Sequence, residues 1–272
     1  MNITGRKIVV TGASRGIGRA TAEALARAGG RVALVARSPE VEAVAAAIVA
    51  QGGQARGYLA DLGNATEVDD MARRVVGDFG PPDIVVNNAG AGRWLYVEET
   101  PVEEVVSMMA APYFAAFYVI RAFLPPMLER GSGYIVNINS PAAWMPWSGA
   151  AGYTAARFAL RGLSASLRLD LRGTGVQLLD MVLGKVSSSY FEHNPHSEER
   201  LPAVTRLVPT LAPEQVAAHI LRGIEHNRRK IVAPFMLRLV LAMRALAPQV
   251  VDWMIWRTGA RRAPRNSDHL RR

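Results

Sequence analysis

The chain contains no cysteine, which excludes disulfide bonds and thiolate chemistry. Its five histidines, at positions 193, 196, 219, 226 and 269, show no metal-ligand spacing, so no bound metal is expected. No apolar run of about 18 residues is free of charge and proline, and the first apolar strand begins by about residue 7, too early for a signal peptide to precede it. We therefore expect a cytoplasmic protein.

Lysine is also scarce. Only three of the 32 basic residues are lysine, at positions 7, 185 and 230. The net charge of +9 comes from one end of the chain, because residues 228–272 carry 11 basic and two acidic side chains whereas residues 1–227 carry 21 of each. A neutral body without a basic stretch interleaved with aromatic residues argues against nucleic acid as a partner.

Glycine is concentrated in one early turn. An apolar strand at 7–10 is followed by Gly12, Gly16 and Gly18 and then by an alanine-rich helix at 19–28. Glycines at these positions let the backbone turn tightly, bring its N–H groups against a phosphate and pack the helix closely on the strand. The spacing differs from the Gly-x-Gly-x-x-Gly of the commonest dinucleotide-binding turn. From the turn alone, a dinucleotide site and a loop without a ligand are equally supported.

Strands and helices alternate along the rest of the chain. Strands are predicted at 7–10, 31–36, 58–61 (the end of the third), 83–87, 134–139, 176–181 and 230–232, with helices at 19–28, 41–51, 68–79, 101–130, 153–172 and 213–226. This pattern predicts an α/β protein with a doubly wound parallel sheet, the Rossmann fold, of about seven strands. We expect one domain over residues 1–232 and a helical, basic extension over 233–272. The polar residues that end the strands should meet in one crevice: Thr11, Arg37, Asp61, Asn87, Ser140 and Gly184.

Four motifs in this order resemble those of the short-chain dehydrogenase/reductase family. They are Thr11-Gly12-x3-Gly16-x-Gly18, Asp61-Leu62, Asn87-Asn88-Ala89-Gly90, and Ser140 thirteen residues before Tyr153. The resemblance covers about residues 5–232 and implies an oxidoreductase with a nicotinamide dinucleotide cofactor. It also implies a homodimer or homotetramer in which the helices at 101–130 and 153–172 pair between subunits.

Two arginines predict which cofactor is bound. An acidic residue at the end of the second strand would select a ribose 2′-hydroxyl, but Arg37 stands there, and Arg15 lies in the glycine turn. Because arginine binds phosphate with paired donors, we predict NADP(H); the other interpretation is that Arg37 is a solvated surface residue. The resemblance implies that Asp61 binds the adenine amino group, that Leu62 lines the adenine pocket and that the carboxamide lies near Val186 and Ser188. The predicted cofactor-binding residues are Gly12, Ser14, Arg15, Gly16, Ile17, Gly18, Arg37, Asp61, Leu62, Asn87, Ala89, Gly90, Tyr153, Arg157, Gly184, Val186 and Ser188.

Ser140, Tyr153 and Arg157 are the predicted catalytic residues. A carbonyl that accepts hydride needs its developing oxyanion held and then protonated, and the resemblance gives the first task to Ser140 and the second to Tyr153. A fixed cation favours the ionised form of a nearby tyrosine. In the family this cation is a lysine four residues after the tyrosine; here it is Arg157, which keeps a charge but cannot pass on a proton. The family's relay asparagine position falls on Pro112, and Leu183-Gly184 replaces its Pro-Gly.

Residues 187–211 correspond to the family's variable substrate lid. This lid and two other loops carry several large apolar side chains: Trp94, Tyr96, Trp144, Met145, Trp147, Tyr190 and Phe191. They indicate a bulky apolar substrate, or they simply pack the loops onto the body. We therefore predict an oxidoreductase that transfers a hydride between NADP(H) and a lipophilic carbonyl or secondary alcohol. The alternative is an NADP(H)-binding protein of low or no turnover that acts through a partner.

The extension contains two apolar helical segments, 234–247 and 250–258, separated by Pro248. Both are too short and too charged to span a bilayer. Trp253 and Trp256 share a helix face, and arginines follow at 257, 261, 262, 265, 271 and 272. This pattern fits a helix that lies in the headgroup plane of an anionic membrane, which would give a peripheral membrane contact through 234–272. The other interpretation is that these helices cover the crevice or a neighbouring subunit.

Overall fold

The computed structural model describes residues 1–262, and within them seven parallel strands form a single sheet. The strands are β1 (Lys7–Thr11), β2 (Arg31–Ala36), β3 (Gln54–Leu59), β4 (Ile84–Asn87), β5 (Gly133–Asn139), β6 (Val176–Leu183) and β7 (Lys230–Ala233). They lie in the order β3-β2-β1-β4-β5-β6-β7, so the direction of winding reverses between β1 and β4. The predicted doubly wound parallel sheet is confirmed, and ligands are expected beyond the carboxyl ends of its strands.

Helices cover both faces of the sheet. They are α1 (Gly16–Arg27), α2 (Glu40–Ala50), α3 (Ala65–Phe79), α4 (Val102–Met109), α5 (Ala115–Glu129), α6 (Ala151–Asp170), α7 (Pro213–Glu225), α8 (Phe235–Leu246) and α9 (Pro248–Thr258). One core cluster joins strand residues such as Val10 and Leu34 to α1, α2 and α7. The alternate strand residues, such as Val9 and Val35, pack on α3 and α5. Burial on both faces explains why the central strands are continuous apolar runs.

The predicted helix at 101–130 is interrupted. A π-helical turn, Ala110–Phe114, separates α4 from α5, and Ala111 has non-helical angles (φ −136°, ψ 107°). Pro112 has no N–H to continue the helical hydrogen bonds, and the carbonyl of Ala111 accepts a hydrogen bond from Ala91 instead (3.2 Å). By length and composition the run Val102–Glu129 could cross a membrane. One face of this run packs on α3, α6, β4 and β5, and other apolar side chains, such as Val102 and Val106, are exposed.

The third strand also differs from the prediction. It ends at Leu59 and not at Asp61, because its partner β2 ends at Ala36. Asp61 instead begins a turn, in which its carboxylate accepts a hydrogen bond from the N–H of Gly63 (3.0 Å). The register places Tyr58 opposite Val35.

The helices of the extension fold back on the domain. α8 and α9 are bent by 120° at Ala247 and form what we call the α8–α9 hairpin. Leu237 and Val251 are buried in a cluster with Met145 and Val182. The inner face of the hairpin therefore covers the carboxyl end of β6, as the second interpretation of the extension expects. The predicted basic positions Arg265, Arg271 and Arg272 lie outside the described residues.

Candidate active site

The glycine turn after β1 has no room for side chains. Gly12 and Gly16 have positive φ angles (+62° and +54°), a conformation that favours glycine. A Cβ atom on Gly12 would lie 3.0 Å from the Cα of Ala89, and one on Gly18 would lie 2.1 Å from the carbonyl oxygen of Gly12. No side chain caps the start of α1, so its first N–H groups are available to an anion.

Hydrogen bonds tie the end of β4 to this turn. The hydroxyl of Thr11 accepts from the N–H groups of Asn88 (2.9 Å) and Ala89 (3.1 Å). The side-chain amide of Asn88 donates to the carbonyl oxygens of Thr11 (3.0 Å) and Gly12 (3.2 Å). The side chain of the preceding Asn87 points into the sheet, where its amide donates to Asn137 (2.9 Å). These bonds hold the glycine turn and the Asn87-Asn88-Ala89-Gly90 motif together at the switch point of the sheet.

The residues predicted to bind the adenosine part of the cofactor lie in both exposed and buried positions. Arg37 is exposed directly after β2 and makes no hydrogen bond or ion pair with residues 1–262. Arg15 contacts the ring of His193 in the lid, a contact that the sequence did not indicate. Leu62 is buried in the core with residues of α3. The adenine-binding roles of Asp61 and Leu62 stay predictions, as does the binding of the cofactor by Asn87.

The three predicted catalytic residues line one cavity of about 220 Å³. Ser140 follows β5 and begins a short 3₁₀ turn; its hydroxyl oxygen accepts from the N–H of Ala142 (3.2 Å), and its own N–H donates to Asn139 (2.8 Å). Tyr153 lies in the first turn of α6, one turn before Arg157. Ile17, Gly184, Val186 and Ser188, predicted to contact the cofactor, line the same cavity.

Arg157 is a buried cation. Its guanidinium donates to the carbonyl oxygen of Ile138 (3.1 Å), and its Cζ lies 5.1 Å from the ring centroid of Tyr153. A Cβ atom on Gly90 would lie 2.8 Å from the Nη2 of Arg157, so the glycine makes the room for this larger side chain. Within the described residues its Nε has no partner, and no carboxylate pairs with it. An unpaired buried charge favours a negative group close by.

Tyr153 stands in what we call the aromatic cluster, which consists of Trp94, Trp147, Tyr153, Tyr190 and Phe191. The ring centroids of Trp94 and Tyr190 lie 5.5 and 6.3 Å from that of Tyr153. The hydroxyl of Tyr190 donates to the carbonyl oxygen of Gly92 (2.6 Å). Burial, and then the neighbouring Tyr153, raise the pKa of Tyr190, so its hydroxyl stays protonated. Tyr153 and Tyr190 thus share surroundings, but only Tyr153 lies over a cation.

The lid, residues 187–211, rests on the domain at several points. Val186 and Leu211 pair at its base, and Ser188 lies against Gly16 of the glycine turn. Further along, the hydroxyl of Ser197 accepts from the N–H of Trp94 (2.9 Å). Arg200 pairs with Glu99 (2.8 Å). The lid therefore closes the cavity above Tyr153 and contacts the glycine turn as well.

The α8–α9 hairpin forms the outer wall of the cavity. It contributes six side chains: Leu237, Val240, Met243, Val251, Met254 and Ile255. The sequence showed that these helices are apolar and that Pro248 separates them, but not that the hairpin turns inward onto the cavity. Tyr96 and Trp144 do not line the cavity. Tyr96 lies under Arg200, and Trp144 lies under Lys230 and Arg161.

Known proteins share this fold and these motifs. The family profile described as short chain dehydrogenase matches residues 6–199. The chain is 34% identical over 220 residues to the D-threitol dehydrogenase of Mycolicibacterium smegmatis, covering 79% of this chain and 84% of the relative. It is 30% identical over 252 residues to the fatty acyl-CoA reductase of Acinetobacter baylyi, covering 92% and 82%.

Two solved structures of short-chain dehydrogenases or ketoreductases have a similar fold. A short-chain dehydrogenase from Streptomyces avermitilis superposes with a TM-score of 0.78 at 28% identity, covering 92% of this chain and 97% of that one. The actinorhodin polyketide ketoreductase with NADPH has a TM-score of 0.76 at 28% identity, covering 84% and 95%. The chain belongs to the short-chain dehydrogenase family of oxidoreductases.

Proposed function

We propose that this protein uses NADP(H) to interconvert a lipophilic carbonyl compound and its secondary alcohol. One observation carries the proposal: Ser140, Tyr153 and the buried Arg157 line a single apolar cavity with residues predicted to contact the nicotinamide. The family membership supports an oxidoreductase, and the complexes of relatives with NADP or NADPH support the cofactor.

The glycine turn fits a dinucleotide. Its close approach to Ala89 excludes side chains, and the uncapped start of α1 offers N–H groups to a pyrophosphate. The exposed guanidinium of Arg37 is suited to the 2′-phosphate, with Arg15 as the second donor. When bound, NADP(H) supplies or accepts the hydride. Ile17, Val186 and Ser188 are expected to border its nicotinamide end.

Tyr153 and Ser140 act on the substrate oxygen. In reduction, the Tyr153 hydroxyl gives its proton to the oxygen that becomes the alcohol. The Ser140 oxygen already accepts from the N–H of Ala142, so its own proton remains available to donate to the same oxygen. Arg157, permanently charged beside the Tyr153 ring, stabilises the tyrosinate that remains.

Two departures from the family motif affect how Tyr153 regains its proton. Arg157 stays charged and cannot relay a proton, and Pro112 has no side chain that could hold a water molecule. We expect reprotonation from solvent to limit turnover. If so, the rate constant at saturating substrate should fall about twofold or more in D₂O, while the NADPH dissociation constant stays unchanged.

The substrate class follows from the cavity walls. Most of the lining side chains are aliphatic or aromatic, among them Trp94, Met145 and Leu237. Ser140 and Tyr153 are among the few polar side chains of the lining. A cavity of this kind suits an apolar molecule with one reactive oxygen. The alternative of a low-turnover protein gains no support from relatives whose names describe dehydrogenases and reductases.

The decisive experiment is NADPH oxidation with a panel of hydrophobic ketones, comparing Tyr153→Phe with Tyr190→Phe. Both tyrosines belong to the aromatic cluster, so both changes remove one buried hydroxyl. We expect Tyr153→Phe to lower kcat by about 10²–10⁴-fold and Tyr190→Phe to keep most of the activity. NADPH binding without turnover on any ketone would favour the alternative. Equal losses in the two variants would remove Tyr153 as the acid.

The role of the positive charge of Arg157 is tested by changing the charge and the size of the side chain separately. Arg157→Lys keeps the cation and should retain activity, whereas Arg157→Met keeps the bulk and should lose it. Parallel thermal unfolding of the two variants separates a loss of catalysis from a loss of folding. Full activity in Arg157→Met would contradict a role for the charge.

We also propose that the enzyme is a homodimer or homotetramer. Exposed apolar side chains on α4 and α6, including Val102, Val106 and Leu169, support the pairing of these helices between subunits. Sedimentation velocity measures the mass directly, and Val106→Glu should reduce it. The cytoplasmic location stays a prediction.

A further inference from the structure

The α8–α9 hairpin is apolar on its outer face as well as on its inner face. Leu246 is 88% exposed, Trp256 70%, Phe235 65% and Trp253 58%. A helix on the surface of a soluble domain usually turns polar side chains outward. We call this outer surface the docking face; its exposed apolar residues are Phe235, Met236, Leu239, Met243, Leu246, Val250, Trp253 and Trp256.

The charges around the docking face are almost all positive. Arg238 lies over the ring of Phe235 at 5.6 Å, and Arg257 and Arg261 are exposed at the end of α9. The one acidic side chain in residues 234–262 is Asp252, which pairs with Arg244 (3.1 Å). An apolar centre with tryptophans and a cationic rim complements the headgroup region of an anionic bilayer.

The docking face and the wall of the cavity share a residue. Met243 lines the cavity and is also 38% exposed, and it lies on α8 between Leu239 and Leu246. Val240 and Met254 line the cavity just inside it. At Met243 a single layer of side chains therefore separates the cavity from the docking face.

From this arrangement we propose that the α8–α9 hairpin docks on the surface of an anionic phospholipid bilayer, with the wall that the hairpin gives to the cavity lying against the lipid. The helices have 12 and 11 residues and are bent by 120°, so they lie in the interface and do not cross the membrane. Docking itself is independent of the reaction; only the passage of a substrate from the lipid into the cavity rests on the proposed function.

The test is vesicle flotation with the full chain. We expect the protein to float with vesicles of phosphatidylcholine and phosphatidylglycerol, to stay behind with phosphatidylcholine alone, and to be released as salt rises. Trp253→Glu and Leu246→Glu, both at exposed positions, should lower the partition coefficient on the order of tenfold. The matched control is Val49→Glu, because Val49 is 52% exposed on α2, which packs on β3 at the other edge of the sheet. This control should float like the unchanged protein.

A second measurement needs no variant. Brominated phosphatidylcholine, added to anionic vesicles, quenches tryptophans that reach the acyl chains, and Trp253 and Trp256 are the exposed ones. Failure to float at low salt, or an absence of quenching, overturns the proposal. A third result also overturns the proposal: Trp253→Glu and Leu246→Glu leave flotation unchanged but lower the sedimenting mass of the protein without vesicles. In that case a second copy of the chain covers the docking face.

Discussion

Backbone geometry shapes the cofactor side of the site, whereas apolar side chains shape its substrate side. On the cofactor side, backbone geometry sets the positions: Gly12 and Gly16 adopt positive φ angles, and Thr11 and Asn88 link two strand ends by hydrogen bonds. On the substrate side, apolar side chains from separate segments make the walls, with Trp94, Tyr190 and Leu237 among them.

This difference determines how each side responds to change. A backbone turn that excludes a Cβ atom tolerates few substitutions, because the obstacle is another backbone atom. Apolar side chains in a wall can be replaced by other apolar side chains of similar volume at a moderate cost in unfolding free energy. The cofactor side therefore defines the reaction class, and the substrate side is free to define the substrate. Tyr153 and Arg157 lie where the two meet.

The largest expected effect comes from placing a methyl group in the glycine turn. In Gly18→Ala the new Cβ would lie 2.1 Å from the carbonyl oxygen of Gly12, so the turn must move. We expect a loss of NADPH binding and a free energy of unfolding lower by about 3 kcal/mol. Urea unfolding and NADPH titration measure the two quantities.

The matched control is another helical glycine, Gly77 of α3, which has nothing within 4 Å of its would-be Cβ. Gly77→Ala should stabilise the protein by about 0.5–1 kcal/mol, because alanine favours the helix. If Gly18→Ala binds NADPH as well as Gly77→Ala does, the backbone account of the cofactor side is wrong.

The corresponding change on the substrate side is Leu237→Ala. Leu237 is 3% exposed and packs with Val251 and Met145 while it lines the cavity. We expect a loss of about 2–3 kcal/mol of unfolding free energy and an altered preference among ketones. The NADPH dissociation constant should stay the same. The control is Leu239→Ala, two positions further along α8. It should lower the free energy of unfolding by under about 0.5 kcal/mol, because Leu239 is exposed.

A smaller effect is expected from Arg37→Asp. If the exposed Arg37 binds a 2′-phosphate, this change should reverse the preference for NADPH over NADH, each preference being at least about tenfold, or 1.4 kcal/mol. Fluorescence titration with both dinucleotides at low salt measures it. Similar affinities of the unchanged protein for NADPH and NADH would contradict the assignment.

The smallest effect concerns the ion pair that holds the loop of Trp94. Arg93 donates to both carboxylate oxygens of Glu104 (2.9 and 2.5 Å) and holds the pKa of that carboxyl below its usual value. Because the pKa of Glu104 is lower in the folded state than in the unfolded state, the ion pair stabilises the protein fully at pH values above the unfolded-state pKa. This stabilisation is lost as the pH falls through the folded-state pKa of Glu104.

Since the pair is partly exposed, Glu104→Gln should destabilise by under about 1 kcal/mol at neutral pH and by nothing in strong acid. Thermal unfolding across this pH range shows whether the two curves converge. A difference that persists at the acid end would mean that shape, and not charge, matters at this position.

The fold could be predicted from the sequence because each of its signals is local. Apolar runs such as Ile8 to Val10 and helix-forming stretches alternate with the right lengths, and the glycine spacing marks the turn. The break in the long helix at Pro112 was harder to place, since proline is also found inside α5, at Pro125 and Pro126, without a break. Only the contact of Ala111 with Ala91 distinguishes the two cases.

The site was predictable to a similar depth. Ser140, Tyr153 and Arg157 were predicted from the resemblance of their spacing to the family motif, and the structure brings them to one cavity. Pro248 marks the break between α8 and α9, but the contacts with β6 that make the α8–α9 hairpin a wall of the cavity join residues far apart in sequence. The space that Gly90 leaves for Arg157 is likewise a contact between residues far apart in sequence. Such long-range packing requires the folded structure.

The contact between the lid and the glycine turn has a kinetic consequence. Ser188 lies against Gly16, and His193 contacts Arg15, so the closed lid covers the path along which a dinucleotide would reach the turn. We therefore expect the dinucleotide to bind first and leave last, and the proposed ketone to bind second. Steady-state rates should then follow a compulsory-order scheme, with NADP⁺ as a competitive inhibitor toward NADPH and a noncompetitive inhibitor toward the ketone.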